Sequence, residues 1–155
     1  MRDTVKVNNV KTMETTIPQE RKDKLFELLG SQGVYLGGII NLTQHPATEE
    51  QEFDGVFEPQ DKDKVRCLLT FDTIPNKGEL YMRAVQLAEI ASESGAKFAM
   101  IGGAPYLMSP LEEALKREGI TPLYSFSERE SIEDTLPSGD VIKKSVFRHK
   151  GFIKA

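Results

Sequence analysis

The stretch KFAMIGGAPYLMSPLEEALKREG, Lys97 to Gly119, decides the fold. It begins with a short apolar run, Phe98-Ala99-Met100-Ile101, bounded by Gly102-Gly103. Such a run, ending in glycines, predicts a strand buried on both faces. The glycines let the backbone turn sharply and leave no side chain between it and a ligand. Ser109, Pro110 and Glu112 then have the spacing of a helix start: serine as N-cap, proline at the first helical position, glutamate three residues after the cap. Leu111, Ala114 and Leu115 give that helix an apolar stripe, and Gly119 ends it. Strand, glycine turn and helix make one βα unit, and α/β proteins bind ligands at such turns.

Outward from this unit, Glu79 to Ser94 predicts a helix with Tyr81, Ala84, Val85, Ala88 and Ala91 on one face and Gly95 as its stop. On the other side, Thr121 to Phe126 is the next strand, and Ser127 to Ser131 is a polar loop. Ser131 to Leu136 and Val141 to Phe147 flank Pro137-Ser138-Gly139-Asp140, the pattern of a hairpin. Val65 to Phe71, VRCLLTF, predicts a strand that ends at the turn cluster Asp72 to Asn76. Val34 to Leu42 predicts another, where Gly37-Gly38 marks a bulge or a close backbone approach. Thr48 and Gln51 fit a capping box, so a short helix begins there, while Pro59 to Lys64 is charged and loop-like. Pro18 to Gly30 predicts a short amphipathic helix with Leu25, Phe26, Leu28 and Leu29 on its apolar face. Residues 1–17 are polar, and their weak alternation at Val5, Val7 and Val10 suits a tail or an edge strand.

Strands alternating with helices imply βαβ units and a mainly parallel sheet. Right-handed crossovers then place helices on both faces. The expected fold is α/β: a Rossmann-like three-layer sandwich with a mainly parallel sheet and a C-terminal antiparallel hairpin. It fills residues 34–155 as a single domain, behind an N-terminal extension, residues 1–33, that carries the short helix.

The 155 residues suit one domain with a real core. A formal net charge of -4 excludes a strongly basic surface for long nucleic acid, though not a local basic pocket. The single cysteine, Cys67, makes no intramolecular disulfide and is expected to be a small buried residue. No apolar run approaches the ~20 residues that span a bilayer. The start, MRDTVKVNNVK, lacks the apolar core of a signal peptide. A soluble cytoplasmic protein with no membrane contact is expected.

Parallel strands share an edge where their exits converge, and this is the default ligand site. The exits here carry Asn41, Thr43 and His45; Asp72 and Thr73; Gly102, Gly103 and Ala104; and Ser125, Ser127 and Arg129. Backbone N–H groups at Gly102-Gly103 and a nearby helix start favour an anion. Thr43, Ser125 and Ser127 can donate to phosphate oxygens, and Arg129 can bind a phosphate bidentately. Asn41 can read a base or a ribose, and Asp72 can bind a ribose hydroxyl or cap its own turn. Tyr106 can stack on a base or pack in the core. A nucleotide or other phosphorylated small molecule fits best. The sequence IGGAPY lacks the G-x-G-x-x-G spacing, and no Gly-Lys-Ser/Thr follows to make a Walker loop.

The only histidines are His45 and His149. His45 is either a general acid or base or a turn residue. His149, within Arg148-His149-Lys150, is expected on a solvated basic edge, or else as a ligand contact. No Cys/His pair has zinc spacing, so neither a metal nor a cofactor is expected. The residue types of a Ser-His-Asp hydrolase are present, but the absence of a G-x-S-x-G elbow weighs against one.

The run Asn41-Leu42-Thr43-Gln44-His45 continues as Pro46-Ala47-Thr48-Glu49-Glu50-Gln51. It resembles a signature of small uncharacterised bacterial and phage α/β proteins. Met100 to Pro105, Tyr124 to Ser131 and Ser145 to Phe152 are similar to later parts of such chains. The order of parts also resembles the CRISPR-associated Rossmann fold, or CARF type, some members of which bind cyclic oligoadenylate or cleave it as ring nucleases. His45, Thr48 and Gln51 match an early His-x-x-Thr-x-x-Gln element of that group, Gly102 and Gly103 its glycine turn, Ser127 and Arg129 a Thr/Ser-x-Arg element, and Phe147 and His149 a closing Phe-x-His segment. Gly103-Ala104-Pro105 departs from the usual middle turn, and residues 1–30 have no counterpart. The resemblance implies metal-independent chemistry, in which a ribose 2′-hydroxyl attacks its neighbouring phosphate. His45 would then transfer the proton, Gly102, Gly103, Ser127 and Arg129 would hold the phosphate, and a homodimer would match the symmetric ring.

A nucleotide-binding α/β protein, as a cyclic-oligonucleotide sensor or ring nuclease, is thus the first expectation. An enzyme on another small phosphorylated substrate is the second. A non-catalytic phage or bacterial interaction protein is the third.

Overall fold

The computed structural model describes residues 38–155. The expected helix Pro18 to Gly30, the alternating segment before it, and Val34 to Gly37 lie outside the described residues. Along the described chain come β1 (Ile39–Leu42), α1 (Glu49–Phe53), β2 (Val56–Phe57), α2 (Lys62–Leu69), α3 (Lys77–Glu93), β3 (Phe98–Ile101), α4 (Pro105–Arg117), β4 (Thr121–Thr135) and β5 (Val141–Lys154). The strands form one five-stranded sheet in the order β2-β1-β3-β4-β5. β1 is parallel to β2 and β3, β3 is parallel to β4, and β5 returns antiparallel along β4. A mixed α/β protein with a mostly parallel sheet and an antiparallel C-terminal pair is therefore what the sequence forms.

Alternation along the short strands sends their side chains into two cores. Ile40, Leu42, Ala99 and Ile101 pack under α2, α3 and α4, against Leu69, Leu87, Leu107 and Leu111 among others. The opposite face holds a smaller cluster of Ile39, Val56, Met100, Leu123 and Phe152, joined by Ala47 from the β1–α1 connection. Two steps in opposite directions from β1, to β2 and then to β3, put right-handed connections on opposite faces of the sheet. α1 has only five residues and buries none of them. Among the described residues the helical layer therefore lies on the first face.

Four local expectations are corrected. Val65 to Phe71 is not a strand: Asp61 caps Lys64 N–H, and Val65 and Leu69 bury one side of the helix α2. Cys67, on the other side of α2, is exposed rather than buried. α4 begins at Pro105, not Ser109, and holds Pro110 inside it, while Leu107, Leu111, Ala114 and Leu115 form the buried stripe. Ser127 to Ser131 is not a loop but the middle of β4, paired residue by residue with β5.

Pro59 to Lys64, expected as a loop, gives its last three residues to the first turn of α2. The local reading holds in the elements that follow. α3 runs from the cap Asn76 with Ala84, Leu87, Ala88 and Ala91 buried, though Tyr81 is exposed. Thr48 and Gln51 form the capping box of α1. The hairpin turns at Pro137 to Asp140, where Leu136 N–H donates to the Asp140 carbonyl at 2.8 Å. Gly38 has φ +66°, and a Cβ there would come within 3.0 Å of the Phe57 ring, so the close approach expected near it is real.

Candidate functional site

The chain leaves β1 and β3 at neighbouring ends, and β1 is flanked by strands reached in opposite directions. In open α/β sheets such a switch point leaves a crevice beyond the strand carboxyl ends. A cavity of about 460 Å³ lies there, lined by Thr43 to Pro46, Gly102 and Gly103, Thr48 and Gln51, and Tyr124 and Ser125. Met100 and Ile101 complete its wall. Burial, together with the nearby Glu112 charge, pushes the Tyr124 phenol upward, which keeps it neutral.

One wall is built on Asn41, which is fully buried. Its Nδ2 donates to the His45 carbonyl and to both Glu58 carboxylate oxygens at 2.9 Å. Its Oδ1 accepts from Thr43 N–H at 2.9 Å and from Thr43 Oγ1 at 2.7 Å. Asn41 thus shapes the loop that lines the crevice, and the Thr43 hydroxyl helps it do so. Glu58 also accepts from Ala47 N–H at 3.1 Å and pairs with Lys62 at 2.9 Å. Burial pushes the Glu58 carboxyl up, but the hydrogen bonds of Lys62, Asn41 and Ala47 and the Lys62 charge outweigh it, and its pKa lies below the ordinary value.

At the opposite side of the crevice three elements supply one hydrogen-bonded chain. Asp54, the C-cap of α1, and His149, on β5, are both buried. Asp54 Oδ2 lies 2.9 Å from His149 Nε2. His149 Nδ1 lies 2.6 Å from Ser125 Oγ on β4. Gln51 Nε2 donates to that same Oγ at 3.1 Å. The His149 ring also stacks, tilted, on Phe152 at 4.7 Å between centroids. Ser125 and His149 were expected as ligand contacts, whereas Asp54 stands in the acidic string Glu49 to Asp54 and reads as solvated surface. Only the folded sheet joins these residues, since β4 and β5 are neighbours and α1 packs beside β5.

The remaining expected site residues are placed as follows. His45 is exposed on the crevice wall, and Gly102 and Gly103 line it. Ala104 is the N-cap of α4, with no side-chain cap hydrogen bond. Ser127 and Arg129 lie farther along β4, both exposed, with the Arg129 guanidinium 5.3 Å from the Phe147 ring. Asp72 is exposed in the α2–α3 loop, where no strand ends, and is not part of the crevice lining. Tyr106 is half exposed and meets Phe71 edge-on at 5.2 Å between ring centroids. Among the described residues no group of three or more His, Cys, Asp or Glu is arranged to hold a metal ion. No helix of the described residues is long and apolar enough to cross a membrane.

No match is found among curated proteins, and none among solved structures. A family model described as "Uncharacterized protein MJ1673 family" matches residues 38–153, a span that takes in the described helices and all but the last residue of the sheet. On that match the chain belongs to the MJ1673 family.

Proposed function

We propose that this protein, a Rossmann-like cytoplasmic α/β protein, binds a nucleotide or other phosphorylated small molecule in the switch-point crevice. The observation that carries the proposal is the placing of Gly102 and Gly103, directly ahead of the uncapped start of α4, in the wall of a cavity of about 460 Å³. Backbone N–H groups at a helix start attract anions. Among the described residues no lysine or arginine lines the cavity, which favours a phosphate ester or diester over a polyphosphate. Recognition would rest on amides, hydroxyls and the His45 ring. A cyclic oligonucleotide is the form of ligand that the CARF-type resemblance favours, with His45 as the proton-transfer group. Ser127 and Arg129 would engage a ligand that extends along β4, or one shared with a second copy of the chain.

The test is thermal unfolding against mononucleotides, cyclic dinucleotides, cyclic oligoadenylates and sugar phosphates. A ligand at a hundred times its Kd adds ~2.7 kcal/mol. Gly102→Ala is the matched variant, because the added Cβ meets only Thr43 Cγ2, at 3.7 Å, and the fold tolerates it. The methyl group narrows the crevice, and the expected loss of affinity is about tenfold, ~1.4 kcal/mol. No shift with any of these ligands, in a protein that melts cooperatively, would overturn the proposal.

A further inference from the structure

We infer that Ser125 is a nucleophile, activated by the buried pair His149–Asp54, and that the crevice carries out covalent transfer from an ester. The inference goes beyond ligand binding and holds whether or not the ligand is a nucleotide.

A serine hydroxyl is a weak nucleophile unless a base within hydrogen-bond reach takes its proton and a third group orients that base. All three parts are present. Ser125 is among the residues that line the crevice, and its hydroxyl lies 2.6 Å from His149 Nδ1. The other ring nitrogen lies 2.9 Å from Asp54 Oδ2. With the neutral ring protonated at Nε2, that N–H donates to Asp54, and the Nδ1 lone pair faces the serine proton. The order of ring nitrogens is the reverse of that in the trypsin-type triad, but the roles need only one acceptor and one donor on the ring. Gln51 Nε2, at 3.1 Å, donates to Ser125 Oγ and fixes the direction of its lone pairs.

Burial adds weight. The side chains of His149 and Asp54 are 1% and 5% exposed, so the pair carries a desolvation cost that apolar residues would avoid. A link that served only to hold β5 to α1 would need no third member opening into a cavity.

The chemistry balances without any further reagent than water. As Ser125 Oγ bonds to the electrophilic carbon or phosphorus of the ester, its proton passes to His149 Nδ1. Asp54 stabilises the imidazolium. The bond from the electrophilic centre to the leaving oxygen then breaks, and that oxygen takes the proton from Nδ1. Water next attacks the Ser125 ester and gives a proton to Nδ1. Ser125 Oγ leaves and recovers that proton.

The first readout is labelling of the full chain with a small alkyl fluorophosphonate, followed by intact mass and peptide mapping. One adduct, on Ser125, is expected. It should be absent in Ser125→Ala and at least tenfold slower in Asp54→Asn. A folded wild-type protein left unlabelled at Ser125 overturns the inference, whatever the variants do. Labelling at an unchanged rate in a folded Asp54→Asn protein overturns it as well. Two substrates identify the electrophile: p-nitrophenyl acetate for carbon and bis(p-nitrophenyl) phosphate for phosphorus. Release of nitrophenol from either that is lost in Ser125→Ala supports the inference, and release undiminished in that variant overturns it. A nucleotide-dependent thermal shift without labelling would retain the proposed function and remove this inference; labelling without a shift would do the reverse.

Discussion

Glu58 shows how a single carboxylate can hold the loop that walls a site in shape. It accepts from Asn41, from the Ala47 amide and from Lys62, so the loop after β1 is tied to the segment after β2. Its pKa lies below the ordinary value, as does that of Glu50, where backbone hydrogen bonding, opposed by burial and helped by Thr48 and Arg148, favours the ionised form. A carboxylate whose folded pKa is depressed contributes stability that is fully present above its unfolded value. That contribution is lost as pH falls through the folded value. The melting temperature should therefore fall as the solution is acidified below about pH 4.5, and less steeply in Glu58→Gln. Superimposable acid limbs would show that Glu58 carries none of the effect. At this scale the sequence was partly legible. Asn41, Thr43, Ser125 and His149 stood out as polar residues at strand ends. Among their partners Gln51 stood out, as a capping residue and in the His-x-x-Thr-x-x-Gln resemblance, but Glu58 and Asp54 did not, because they are acidic residues in polar surroundings and only tertiary contact distinguishes them from surface.

Among the elements, the helix α2 was the least legible. VRCLLTF is a short apolar run, and runs of that length fit a strand or a buried helix equally. Its partners decide the matter. Arg83 of α3 donates from Nη1 to the Cys67 and Leu68 carbonyls at 3.2 Å and also to that of Thr70, closing the end of α2. The same guanidinium pairs with Glu79 at 2.9 Å and lies 4.3 Å from the centroid of the Phe71 ring. None of these contacts has a signature in sequence. Arg83→Ala should cost ~2 kcal/mol, because carbonyls at the helix end lose a charged donor and Phe71 its cover. Chemical denaturation reads this directly, and a midpoint equal to wild type would dismiss the role. β4 misled for a related reason. Its segment Ser127 to Ser131 is polar, yet Glu130 pairs with Arg148 at 3.5 Å and Lys150 at 3.1 Å, and Asp134 with Lys144 at 2.9 Å. Cross-strand charge pairs support a strand that apolar patterning alone would not predict.

For the whole molecule, sheet class and direction were readable, because βα units and a Pro-Ser-Gly-Asp turn restrict the topologies available. The order of strands, and hence which exits meet, was not. Asp72 dropped out of the crevice because the segment before it became a helix. The long β4–β5 pair leaves Phe147 66% and Val141 58% exposed. A homodimer remains our proposal, and these residues offer it apolar surface. Light scattering on the wild-type chain should then give twice the monomer mass, and Phe147→Glu should lower it; a wild-type monomer at all concentrations would dismiss the dimer. The register shift between Phe126 and Ser127 lies beside Gly151, whose φ is +154°. Ser125 and His149 flank this irregularity, so the hydrogen bond between them lies at the root of the projecting hairpin. The nine or so residues of β4 past that point reach roughly 30 Å at ~3.3 Å each. A tilt of about 5° at such a pivot swings the tip through about 2.5 Å over that reach. The hairpin has the geometry of a lever, whose length multiplies any change of direction at the end where serine and histidine meet.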